Sequence, residues 1–153
     1  MPFFLYASFP NSRNKNRLPT VTADTYVVTL NDNTQALPTL ISANDLNRTY
    51  LTLENLSTSD DMVYGYAATL ALNPSVVATF GLTNDLIVST TTNLLYVKTD
   101  DGVSTNWVVT TLPTVGFLVR FAQIAANLES LQDIYGQSNA AATVDVNVDQ
   151  GRG

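Results

Sequence analysis

Residues 47–67 are NRTYLTLENLSTSDDMVYGYA, two β-forming runs joined by a polar turn, and this stretch decides the fold class. In RTYLTLE, alternation sets Leu51 and Leu53 on one face and Tyr50, Thr52 and Glu54 on the other, the period-two signature of a half-buried strand. STSDD supplies small and acidic side chains that bond to nearby backbone in turns. MVYGYA then resumes with the aromatic and β-branched residues that suit a pleated surface. The outward residues are Thr, Glu and Tyr, not the His, Cys or clustered carboxylates of a reaction centre.

The same pattern extends on both sides. Between residues 21 and 112 the runs DTYVVTL, YLTLEN, MVYGYAATL, SVVATF, DLIVST, NLLYVKT and TNWVVTTL are separated by turn-rich segments, a spacing that predicts a sandwich or barrel. Asp101-Gly102 predicts a tight turn pairing NLLYVKT with TNWVVTTL, because Gly accepts the positive φ of hairpin turns. After Pro113 the period changes. Phe117, Phe121, Ile124, Leu128, Leu131 and Tyr135 fall at 4-3-4-3-4 spacing, which predicts a helix over 113–136 with Gly136 as its C-cap. Leu118, Ala125 and Ile134 widen its stripe, so it either lies on its own sheet or forms a seam with another copy. Residues 137–153 form a small-residue tail in which Val144, Val146 and Val148 alternate with polar residues, as an edge strand or a loose end. The expected fold is mainly β: an antiparallel sandwich or barrel over 21–112, one C-terminal amphipathic helix and an extended N-terminal arm over 1–20.

That arm begins with Phe3, Phe4, Tyr6 and Phe9 and continues into Arg13, Lys15 and Arg17, which are three of the chain's seven cations. Such a segment is either a solvated strand edge or an arm reaching onto an acidic neighbour. The 153 residues fit one domain. Only 13% are charged, while Thr and Asn number 21 and 15, a composition of β-structure with polar, uncharged faces. The net charge of −6 disfavours nucleic acid and anionic membranes as partners. The chain has no Cys, so its stability does not depend on redox surroundings. The opening MPFFLYASFP lacks the basic start and small-residue cleavage site of a signal peptide, and no apolar run reaches the ~18 residues of a membrane helix.

Candidate chemistry is sparse. With no His and no Cys, Ser-His-Asp and Cys-His arrangements are impossible. Asp60-Asp61 and Asp100-Asp101 sit in expected turns, where Asp has its own backbone-bonding role. Asp145, Asn147 and Asp149 imitate a calcium loop, but Gly151 falls one position late for an EF-hand and no closing Glu follows. No Gly-rich phosphate cradle occurs, and the sequons at Asn47 and Asn55 are expected by chance in an Asn- and Thr-rich chain. No catalytic, cofactor or metal residues are therefore expected. Tyr64, Tyr66, Tyr96 and Trp107 are weighed as a sugar-stacking platform against the plainer role of filling a core or an interface.

RTYLTLENLS, the turn TSDD, MVYGYA and, later, NLLYVKTDDGVSTNWVVTTL together resemble a layout seen in small virion proteins of tailed bacteriophages. Arg48, Asn55, Tyr64, Gly65 and Leu95-Tyr96 carry the resemblance, which covers roughly residues 46–112. Its members have a glycine-richer stretch where this chain has LNPSVVATFGLTNDL, and the expected helix is not part of the pattern. The resemblance implies a compact β-domain of a virion that decorates or cements a capsid, or forms a head fibre or spike, often as a trimer. Partners would then be further copies of the chain and the major capsid or another virion protein. The residues expected to bind them are Phe3, Phe4, Phe9, Arg13, Lys15 and Arg17 in the arm and Phe121, Ile124, Leu128 and Leu131 on the helix. The alternative is a glycan- or host-surface-binding module using the four aromatics.

Overall fold

The computed structural model describes residues 22–101, 105–126, 128 and 130–153. The whole expected arm, with Phe3, Phe4, Phe9, Arg13, Lys15 and Arg17, lies outside the described residues, as does Gly102 of the expected hairpin turn.

The chain forms two sheets. The first has the order β1-β11-β3-β9, from Thr22–Leu30, Val144–Arg152, Arg48–Asn55 and Ile124–Ala125. The second has the order β2-β10-β4-β5-β6-β7, from Thr39–Ser42, Ile134–Ser138, Met62–Leu70, Leu86–Ser89, Leu94–Lys98 and Trp107–Thr110, with β8 (Phe117–Val119) also paired to β4. Leu51 and Leu53 are fully buried, as their alternation requires. They meet Leu30, Ile41, Met62, Val119, Ile134, Val144, Val146 and Val148 in one cluster, so both sheets contribute to a shared core.

The second sheet is apolar on its other face as well. Successive side chains of a strand point to opposite faces, and β4 uses both. Met62 belongs to the shared core, whereas Val63 and Ala67 pack with Val88, Leu95, Leu112 and Tyr135 beneath the short helix α2 (Leu112–Val115). Gly65 lets that helix approach: a Cβ there would stand 3.0 Å from Leu112 Cδ1. A third cluster joins Ala78, Ile87, Tyr96 and Trp107.

Several expectations change. The alternating valines of the tail are buried as read, but β11 is neither an edge nor a loose end. It lies between β1 and β3, in register with β1 from Thr22↔Arg152 to Leu30↔Val144. The sheets are not wholly antiparallel, since β4 and β5 run parallel. A parallel pair needs a crossover of a dozen or more residues. That crossover contains SVVATF, which is not a strand: Asn73 caps the helix α1 (Pro74–Val77), its side chain accepting from the Ser75 N–H at 3.2 Å and the Ser75 hydroxyl at 2.8 Å. Asn followed by Pro at the first helical position is a helix start.

No helix spans 113–136. The stretch splits into α2, β8, β9 and β10, and Ala122 takes a left-handed φ of 59° that ends any helical run. Sheet pairing overrides local periodicity here: Val119 and Ile134 gain burial in the shared core by joining opposite edges of β4. Gly136 is not a cap but the middle of β10, where a Cβ would fall 2.5 Å from Ile41 Cδ1.

Candidate functional site

The residues of the family resemblance are joints of the framework. Arg48, at the start of β3, is buried. Its guanidinium donates to the carbonyls of Ser130 at 2.7 Å, Gln132 at 3.3 Å and Ala43 at 2.7 Å, and to the Ser42 hydroxyl at 2.8 Å. It thereby fixes the irregular approach to β10 against the end of β2. Burial lowers the Arg48 pKa from its ordinary value, while nearby Asp45 opposes that shift. Asn55, at the other end of β3, is also buried. It donates to the carbonyls of Asp60 at 3.0 Å and Val119 at 3.1 Å and accepts from the Ser57 N–H at 2.9 Å. The sequon at Asn55 thus has its amide nitrogen occupied inside the fold.

The acids are similarly engaged. Asp61 accepts from the Phe121 N–H at 3.0 Å, and Asp100 accepts from the Asn106 amide at 2.7 Å. Asp101 accepts from both the N–H and the hydroxyl of Thr83 at 2.9 Å, bonds that hold its carboxyl below the ordinary value. On the outer face of β11, Asp145 accepts from Thr29 at 2.6 Å and Asp149 from Tyr50 at 3.3 Å, which makes them cross-strand partners. Among the described residues, no three or more His, Cys, Asp or Glu side chains gather as a metal site. No helix of the described residues is long and apolar enough to cross a membrane.

The four aromatics do not form one platform. Tyr96 and Trp107 are only 3% and 4% exposed and belong to the third core cluster. Tyr64 and Tyr66 lie on the other part of the sheet and pack with Phe117, at centroid distances of 5.3 Å and 6.2 Å respectively. Partial burial pushes the Tyr64 phenol up.

This trio borders a notch. β10 occupies one edge of β4 from Met62 to Tyr66, so β8 and β5 must share the other. β8 pairs as far as Tyr64↔Phe117, and β5 begins at Ala67↔Leu86. The gap opens into a cavity of about 510 Å³, whose walls include Tyr66, Asn84, Asp85, Phe117 and Gln132. A smaller hollow of about 90 Å³ shares Tyr66, Asp85 and Gln132 and continues to Phe80 and Trp107.

The remaining feature is exposed apolar surface. The crossover between β4 and β5 presents Leu72, Val76, Val77, Phe80 and Leu82, with Val76 66% and Leu82 61% exposed. The turn spacing of the sequence does not mark it, because SVVATF has the composition of a strand. Of the expected helical seam, Phe121, Ile124 and Leu131 are exposed, whereas Leu128 packs against the shared core. These four lie on a turn, a two-residue strand and irregular chain, not on one stripe.

Compared with known protein families, curated proteins and solved structures, the chain matches none.

Proposed function

We propose that this chain is a non-enzymatic virion structural protein, of the decoration or cement kind, that acts by burying surface between subunits. Its two sheets, packed as a sandwich, would be the rigid body presenting that surface. The observation that carries the reading is the crossover ridge: five large apolar side chains exposed along residues 72–82, on a body where Asp61, Asp85, Asp101, Asp145 and Asp149 serve its own turns and strands. Exposed apolar patches of this kind mark association sites. A specific interface buries ~1,200–2,000 Å², and closed symmetry, with a trimer favoured by the resemblance, satisfies identical ridges without open growth.

Light scattering on the purified chain, followed by co-sedimentation with capsid shells assembled from a tailed-bacteriophage major capsid protein, tests this. A trimer that pellets with the shells is expected. A monomer at every concentration that stays in the supernatant refutes it.

The notch favours a second reading, binding of a neutral saccharide. Tyr66 and Phe117 offer apolar ring faces, and Asn84, Asp85 and Gln132 offer hydrogen-bonding groups around one cavity. Glycan-array binding that Gln132→Ala reduces would support it, and a silent array would remove it.

A further inference from the structure

Charge is divided unequally along the chain. Residues 1–21 hold three of the seven cations and none of the thirteen acids, whereas residues 22–153 hold all the acids and four cations. Three of those four are already engaged in the fold. Arg48 is caged by its acceptors, Lys98 is buried 3.5 Å from Asp100, and Arg152 pairs with Asp24 and with Asp45. The body is therefore acidic, whereas residues 1–21 of the same sequence are cationic.

Three of the thirteen acids lie beside the exposed ridge. Asp85 accepts from the Leu82 N–H at 2.9 Å, and Asp101 accepts from Thr83. Asp100 adjoins them with 41% of its side chain exposed. The other apolar area, near Phe117 and Phe121, carries the cation Arg120, over the Phe121 ring at 5.5 Å, beside the Asp61 carboxylate that accepts from the Phe121 N–H, whereas no cation of the described residues is paired with Asp85 or Asp101 by a salt bridge.

We propose that residues 1–20 of one copy dock on the crossover ridge of a neighbouring copy. Their aromatics lie against Val76, Val77, Phe80 and Leu82, and Arg13, Lys15 and Arg17 face Asp85, Asp100 and Asp101. This inference rests on the self-association reading above and names its two surfaces. A neighbour fits better than the arm's own chain. β1 joins the β2 side of the second sheet, through the Asn31 N–H to Thr39 and the Tyr26 hydroxyl to the Ile41 carbonyl. From β2 to β6 is four strand spacings, about 19 Å, to which the separation of the sheets adds. The segment from Arg17 to Thr22 spans at most about 18 Å. Docking on its own chain would stretch that segment to its limit, whereas a neighbour can present its ridge anywhere along the arm's path.

The test uses zero-length carbodiimide cross-linking of the full chain, mixed from equal amounts of ¹⁴N- and ¹⁵N-labelled protein. Lys15 is the only lysine apart from the buried Lys98, so its cross-links are unambiguous. Expected are mixed-isotope links from Lys15 to Asp85, Asp100 or Asp101, and at least a tenfold loss of self-association in Val76→Asp/Val77→Asp with an unchanged melting curve. Links confined to one isotope, or directed to Glu54, Asp60 or Asp61, overturn the ridge assignment while leaving the oligomer reading intact. A chain that stays monomeric at every concentration overturns both. Should the double variant unfold, the cross-linking pattern of the unaltered chain decides alone.

Discussion

Arg48 shows how a side chain can be singled out in a sequence without its purpose being visible. Its acceptors include Ser130 and Gln132, 82 and 84 residues away, beyond any local pattern. Arg48→Met leaves three part-buried carbonyls and the buried Ser42 hydroxyl without their donor and is expected to destabilise the protein by about 3 kcal/mol in urea unfolding. Gly136→Ala forces a methyl group towards Ile41 and Leu30 and is expected to cost about 1–3 kcal/mol. Adding Ile41→Val removes the nearest clash and should recover part of that loss in the double variant. Leu51 and Leu53, by contrast, were legible, because alternation over a few residues was enough to place them. Asp101 adds a pH dependence. Its folded pKa is lowered from 3.8 by the Thr83 bonds, so its support of the 82–84 turn is complete above pH 3.8 and disappears as pH falls through the lowered value. The protection factor of the Thr83 amide, its exchange rate relative to the intrinsic rate at each pH, should hold from pH 6 down to about 4 and fall only below that; a fall already near pH 6 would contradict the assignment.

Among the elements, strands with clear alternation were readable, and so was the pairing of β6 with β7, seen from Lys98↔Trp107 to Leu95↔Thr110. Elements that owe their state to distant partners were not. Residues 117–135 carry a helical rhythm, yet Val119 and Ile134 pair with opposite edges of β4, at Met62 and Tyr66, and the gain from completing that sheet exceeds any local helical preference. The crossover was missed for the opposite reason: a β-branched composition outweighed the Asn73-Pro74 start signal. Asn73→Ala removes that cap and is expected to cost about 1 kcal/mol. Because the crossover also carries the exposed ridge, the same substitution should weaken self-association more than an equally destabilising change in β1, as measured by sedimentation at matched folded fraction. Equal weakening would mean that the ridge has no part in assembly.

For the whole molecule, the proposed docking of a cationic segment on an acidic body predicts that ionic strength governs assembly. Counter-ions screen exposed charge pairs over about 10 Å at 0.1 M salt and 3 Å at 1 M, so raising salt across that range should lower the association constant several-fold without changing the melting temperature by more than a few degrees. The mainly β character could be read from the sequence, since turn spacing and alternation are local, whereas the strand order of the two sheets could not. β11 is the case in point. Thr29 and Asp145 touch across 116 intervening steps of chain, and until β11 arrives, β1 and β3 have no partner between them. Their inner edges then offer bare amide and carbonyl groups to any passing strand, and such non-local closure makes folding slow. A nascent chain of this design would therefore depend on concentration in two opposite ways: crowding favours the proposed assembly, yet before closure it invites the wrong strand into the slot that β11 is meant to fill.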